Sequence, residues 1–305
     1  MMKKDLITVD DLTTKEIFDI MKLAKKLKKA PLSKKGALKD KTLALLFQKP
    51  SNRTRISFEV AAVHLGGYVL YLSPREIKMG TREPVKDVGR VVSRYVDGMV
   101  ARVFSHQDVV ALKEYSDVPV INGLSDFAHP CQALSDLFTI LEKKKTLKKV
   151  TLSYVGDGNN VLNSLLMVSA KTGLNMKVAT PEGYSPPADY YEEVSKLAKK
   201  NGAVFELSSD PHEAVSGSDI VYTDAWVSMG DEEETAKRLE DFQGFQVNEQ
   251  LMKSANEGAL IMHCLPAHRG QEVTDIIDGK NSIIYDQAEN RMHVQKAILL
   301  RLMGK

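Results

Sequence analysis

Three short stretches of this chain carry side chains that can do chemistry. Ser51-Asn52-Arg53-Thr54-Arg55 follows an apolar run, Thr42 to Phe47, and opens a helix that reads Ile56, Val60, Val63. The first N–H groups of a helix lack carbonyl partners and carry partial positive charge. A phosphate placed there can be held by backbone, hydroxyl and guanidinium together. The plainer alternative is a Ser N-cap on a helix with solvated arginines. His129-Pro130-Cys131-Gln132 starts a second helix, with Pro130 suited to the first helical position, where no N–H is needed. Its imidazole is either a cap or packed ring, or a donor that polarises a carbonyl. His263-Cys264-Leu265-Pro266 ends another apolar run, Ala259 to Met262. Its thiol is either a small buried hydrophobe or a nucleophile.

Two more positions gain meaning from the elements before them. Arg102 closes the run Gly98–Arg102, and Asp224 follows Asp219–Tyr222. Open α/β sheets bind ligands at the carboxyl ends of strands, which separates these residues from ordinary surface charges. Gly156-Asp157-Gly158-Asn159-Asn160 reads as a tight strand-to-helix turn.

The surrounding pattern is α/β: short Val, Ile and Leu runs alternate with longer amphipathic stretches, as in parallel sheets covered by helices. Strands are predicted at Thr42–Phe47, Tyr68–Leu72, Gly98–Arg102 and Pro119–Ile121. In the second half they are predicted at Lys149–Val155, Asn175–Thr180, Ala203–Leu207, Asp219–Tyr222, Ala259–His263 and Ser282–Tyr285. A length of 305 residues favours two domains. The lysine-rich segment after the helix Gln132 to Leu141 suggests domains 1–142 and 143–287. Met292, Gln295, Ile298, Leu299 and Leu302 recur at helical spacing in a long last helix.

Composition narrows the partners. With 42 basic and 40 acidic residues the net charge is +2, so no global field points to nucleic acid or membrane. A small anionic substrate is expected. Both cysteines fall inside the motifs, which fits a reducing compartment better than a disulfide scaffold. The first residues lack the apolar core of a secretory signal, and no run approaches the roughly 18 apolar residues of a spanning helix. A cytoplasmic protein is expected.

Taken together, the serine–arginine segment, His-Pro-Cys-Gln and His-Cys-Leu-Pro resemble the aspartate/ornithine carbamoyltransferase family. Asp224-Ala225-Trp226-Val227-Ser228-Met229-Gly230 is similar to its ornithine-specific branch. The resemblance spans nearly the whole chain and implies transfer of a carbamoyl group from carbamoyl phosphate to L-ornithine, without metal or cofactor. It implies that the last helix, 288–305, returns to the first domain, and that the chain works as a homotrimer or a multiple of one. It implies carbamoyl phosphate contacts at Ser51, Asn52, Arg53, Thr54, Arg102, His129, Pro130, Cys131, Gln132, Cys264, Leu265 and Arg291. Within these, Arg102 meets phosphate and carbonyl oxygen, and His129 donates to that oxygen. Gln132 with the carbonyls of Pro130 and Leu265 holds the NH2. Ornithine falls to Asn160, Asp224, Ser228 and Met229. Cys264 with Asp224 orients the amine instead of forming an acyl-cysteine. Arg102, His129, Asp224 and Cys264 are the expected catalytic set.

One departure stands out, because Lys78-Met79-Gly80 replaces the glutamine-led triplet usual in the ornithine branch. Lys78 is either a surface lysine or a cation entering a neighbouring subunit's phosphate socket. A nucleotide-binding dehydrogenase is the first rival, but Val161 stands where its third glycine belongs. A non-catalytic binder of carbamoyl phosphate or an amino acid is the second. Another amine such as putrescine is the alternative acceptor; it has no α-carboxylate for Asn160 to meet. The acidic Asp231-Glu232-Glu233-Glu234 disfavours an aspartate acceptor.

Overall fold

The computed structural model describes residues 5–227 and 232–304. Ser228 and Met229 lie outside the described residues. The chain forms two compact units, one running through Phe138 and resuming at Glu289, the other from Thr139 to Ala288.

In the first unit the elements are α1 (Thr14–Lys29), β1 (Thr42–Phe47), α2 (Asn52–His64), β2 (Tyr68–Leu72), α3 (Pro74–Ile77), α4 (Val85–Val92), β3 (Gly98–Arg102), α5 (His106–Tyr115) and β4 (Val120–Leu124). Helix α6 (Pro130–Lys144) carries the chain onward. The strands form one parallel sheet in the order β2-β1-β3-β4. β1 and β3 are buried almost throughout, as expected for central strands covered on both faces. Helix α1 begins with a capping box in which Thr13 and Glu16 satisfy each other's end of the first turn.

The second unit holds β5 (Thr151–Val155), α7 (Asn160–Thr172), β6 (Asn175–Ala179), α8 (Ala188–Lys200), β7 (Phe205–Ser208), α9 (Pro211–Val215), β8 (Ile220–Thr223), α10 (Thr235–Asp241), α11 (Glu249–Met252) and β9 (Leu260–His263). Its parallel sheet runs β7-β6-β5-β8-β9. Helix α12 (Ile284–Met303) then returns to the first unit. There Lys28 donates to Asn290 at 2.8 Å, Arg301 pairs with Glu16, and Lys41 reaches the Met303 carbonyl. Gly98 admits this helix: a Cβ there would lie 2.6 Å from Met303 Sδ.

One sequence expectation is corrected. Ser282–Tyr285 is no strand; Ser282 makes only an isolated bridge to Ile261, and helix α12 begins at Ile284. The β-branched pair Ile283-Ile284 looks like a strand in isolation, but both side chains are buried at the helix start. In α2 the buried residues are Thr54, Phe58, Ala61 and Ala62, while Ile56 and Val63 are exposed. Among the described residues no helix is long and apolar enough to cross a membrane.

Candidate active site

Each unit gathers its chemistry at the carboxyl ends of parallel strands, beside the point where its strand order reverses. In the first unit that point lies between β1 and β3. Ser51 caps α2, its Oγ accepting from the Thr54 N–H at 3.3 Å and donating to Thr54 Oγ1 at 3.1 Å. Arg291, from α12, donates through Nη2 to Thr54 Oγ1 at 2.9 Å, so residues 237 positions apart share one hydroxyl. A Cβ at Gly123 in β4 would crowd Val100 Cγ1 at 3.1 Å and the Ala101 carbonyl at 3.2 Å, close behind Thr54. Arg102 is buried at the end of β3.

His129 is buried just ahead of α6, and its carbonyl accepts from the Gln132 N–H at 3.1 Å and the Ala133 N–H at 3.2 Å. Burial, and then the fields of Arg291, Arg102, Lys49 and Arg53, hold its imidazole well below the ordinary value. The ring is therefore neutral at pH 7, able to donate one hydrogen bond without carrying charge. Four cations around a neutral donor concentrate positive charge, of a kind that could hold an anion, in a chain of nearly balanced charge. Cys131 is buried with its thiol pushed up to about 12, mainly by desolvation, and donates to the Asn122 carbonyl at 3.7 Å. It is an inert packing group. Gln132 is buried and donates to Asp136 Oδ1 at 2.8 Å. Asn52 is exposed at the first position of α2. Arg55 turns away: it pairs with Glu59 at 2.9 Å and stacks its guanidinium 3.8 Å above the Tyr71 ring. Lys78 is exposed with left-handed backbone, φ 38°, at the end of α3.

In the second unit the order reverses between β5 and β8, where Asp224 lies one residue beyond β8. Its Oδ1 accepts from the Cys264 thiol at 2.8 Å and the Ala225 N–H at 2.8 Å, and its Oδ2 accepts from Asn159 Nδ2 at 2.9 Å. Asn159 also caps α7 through the N–H groups of Val161 and Leu162. Asn160, expected from sequence, is the first residue of that helix and half-buried. Gly158 lets this turn pack on backbone: a Cβ would lie 2.4 Å from the Tyr184 carbonyl oxygen. Tyr154 supports the floor, donating to the Asp157 carbonyl at 2.9 Å. Burial, then the nearby Asp224, Asp157 and Cys264, keep its phenol protonated well above the usual range.

Cys264 follows β9, half-buried, and Leu265 takes a left-handed backbone at φ 63° before Pro266. The Leu265 N–H donates to His263 Nδ1 at 2.8 Å, and His263 Nε2 then donates to Glu272 Oε1 at 3.1 Å, both side chains fully buried. Ligand atoms of Asp224, His263 and Cys264 lie within 4.8 Å of one another, a spacing that could hold a metal. Both ring nitrogens of His263 are already engaged, so the cluster is a hydrogen-bonded set.

Several contributors escape sequence reading. Lys49 is buried beside the anion site, and Asp136 and Glu272 are buried carboxylates. Arg238 on α10 donates through Nη1 to Asp157 Oδ2 at 2.9 Å and to the Trp226 carbonyl at 3.0 Å. The signal for Asp136 was present in its four-residue spacing from Gln132; nothing local marks Arg238.

Family models match both halves of the chain. The model described as "Aspartate/ornithine carbamoyltransferase, carbamoyl-P binding domain" matches residues 4–142, and the "Asp/Orn binding domain" of the same family matches residues 148–302. A protein of Pyrococcus abyssi named ornithine carbamoyltransferase is 51% identical over 304 residues, 99% of this chain and 96% of the relative. The solved ornithine carbamoyltransferase of Pyrococcus furiosus superposes with a TM-score of 0.95 at 51% identity, covering 98% of this chain and 97% of that one. An anabolic ornithine carbamoyltransferase structure from Campylobacter jejuni gives 0.93 at 40% identity, covering 98% of each chain. Fold, motifs and these matches together show that the chain belongs to the aspartate/ornithine carbamoyltransferase family.

Proposed function

We infer that this chain transfers the carbamoyl group of carbamoyl phosphate to the side-chain amine of L-ornithine, giving L-citrulline and phosphate. The observation that carries the reading is the buried cation cluster in which Arg291 and Thr54 share a hydrogen bond beside a neutral His129. In this reading, residues 1–142 with helix 288–305 form the carbamoyl phosphate half, and residues 143–287 form the ornithine half. Ser51, Asn52, Arg53, Thr54, Arg102 and Arg291 hold the phosphate. His129 and Arg102 aim donors at the carbonyl oxygen, which gains charge as the amine adds. Gln132, with the Pro130 and Leu265 carbonyls, accepts from the carbamoyl NH2, while Cys131 packs behind that turn. The amine nitrogen bonds to the carbonyl carbon, the C–O bond to phosphate breaks, and the proton the amine loses leaves with the phosphate.

Asp224 and Cys264 favour an ornithine amine presented by its lone pair, with Asn160, Ser228 and Met229 on the amino-acid end. Their distances support an orienting pair instead of a free nucleophilic thiolate, because the Cys264 proton already points to Asp224. Positioning and preorganised donors then supply most of the rate. Phosphate release measured with ornithine, putrescine, aspartate and N-acetylornithine in parallel tests the acceptor; ornithine should dominate. Arg102→Ala should lower turnover by about 100-fold or more while leaving the melting temperature nearly unchanged. Retained citrulline production in that variant would refute the role given to Arg102.

We further propose a cytoplasmic homotrimer or multiple of one. In support, β2 is the edge of its sheet and carries Tyr68 and Leu70 at 68% and 51% exposure, while Ile56 and Val63 on α2 are 58% and 59% exposed. An apolar edge of this kind invites a second copy of the chain. Lys78 is proposed as a cation offered to an adjacent copy.

A further inference from the structure

Gln132 can accept a hydrogen bond from a carbamoyl NH2 only if its amide is held one way round. Gln132 and Asp136 lie one helical turn apart on α6, exposed by 1% and 0%, and Gln132 Nε2 donates to Asp136 Oδ1 at 2.8 Å. The NH2 end of the amide thus faces Asp136, whose carboxyl oxygen accepts from it. The carbonyl end, Oε1, is consequently turned the other way. It is buried and has no hydrogen-bond donor among the described residues. Buried carbonyl oxygens are ordinarily satisfied, and one left open beside a cation-lined anion site waits for a donor from the ligand.

We propose that Asp136 is a positioning residue that fixes the polarity of the Gln132 amide and thereby makes the site selective for acyl phosphates whose acyl group bears an NH2. The inference rests on the carbamoyl transfer reading and deepens it. Acetyl phosphate is nearly isosteric with carbamoyl phosphate but presents a methyl group to Oε1, leaving that oxygen unpaired. A site built around a hydrogen bond rejects the analogue that lacks it far more strongly than an apolar pocket could. Asp136 itself does not touch substrate.

A polarity exchange tests this. In Asp136→Asn the neighbour can donate as well as accept, so the Gln132 amide is free to reverse. The expected result is a rise of about tenfold or more in KM for carbamoyl phosphate, with the preference over acetyl phosphate shrinking by a similar factor. Adding Gln132→Glu to that variant restores an acceptor-only group facing a donor, and should recover part of the loss, although Gln132→Glu alone places two carboxylates together and is impaired. A purely structural Asp136 does not produce this rescue. Wild-type KM and selectivity in Asp136→Asn, or a double variant no better than Asp136→Asn with the same melting temperature, overturns the proposal. Should Asp136→Asn not fold, the wild-type protein decides, since equal affinity for carbamoyl and acetyl phosphate overturns it too. A wild-type chain that makes no citrulline sinks the parent reading, and this one with it.

Discussion

His129 shows how a residue's neighbours decide its chemistry. Burial and four cations depress its pKa, so the folded chain takes up this proton only at pH well below the ordinary 6.5. Because the unfolded chain would bind the proton more readily, the stability tied to neutral His129 is complete above pH 6.5 and declines as pH falls beneath it. The pH profile of kcat/KM for carbamoyl phosphate should accordingly lack a His129 inflection near 6.5; a break there that vanishes in His129→Asn contradicts the assignment. The two cysteines should separate as sharply. A thiol reagent should label Cys264 in the folded protein and spare Cys131, whose thiol sits at about 12, until unfolding exposes it. At this scale sequence was informative where residue types cluster, as in Ser51–Thr54 and His129–Gln132. Lys49 was missed because a lysine beside a proline ordinarily faces solvent. Asn159 goes unremarked beside Asn160, since only the structure shows that it holds Asp224 while capping α7.

Elements present these residues through buried polar braces. Glu272 holds the turn after β9: burial opposes its ionisation, yet hydrogen bonds from His263 and the His268 N–H keep its carboxyl below the ordinary value. Its contribution is present above the unfolded carboxylate range and is lost as pH falls through the folded value. Glu272→Ala leaves the His263 ring and the His268 N–H without their acceptor and should destabilise by about 3 kcal/mol in urea unfolding. Arg238 braces the other side by joining α10 to the Asp157 turn and to the strand end that bears Asp224. Arg238→Lys keeps one charge but loses the fork, so ornithine KM should rise several-fold while carbamoyl phosphate KM stays constant in steady-state assays. Most strands are legible from their Val, Ile and Leu runs, with edges displaced by up to three residues. Ser282–Tyr285 misled because a buried helix start and a short buried strand look alike without longer context. In α2 the apolar residues are visible in the sequence, but their spacing alone does not tell that Phe58, Ala61 and Ala62 are buried while Ile56 and Val63 are exposed.

For the whole molecule, nearly neutral charge and two α/β units are readable from composition and pattern. The outward Tyr68, Leu70, Ile56 and Val63 argue for assembly. Replacing Leu70 with lysine should shift sedimentation toward smaller species, and a variant with unchanged mass contradicts the proposed use of that edge. The passage between units lies inside α6 and α12, and a continuous helix leaves no glycine or proline to mark it. Arg291, the partner of Thr54, belongs to the first unit yet is reached only after all of the second. On the ribosome, the nascent chain therefore cannot close the hydrogen bond between Arg291 and Thr54 until translation is nearly over, and a message interrupted anywhere before α12 yields a product that lacks it.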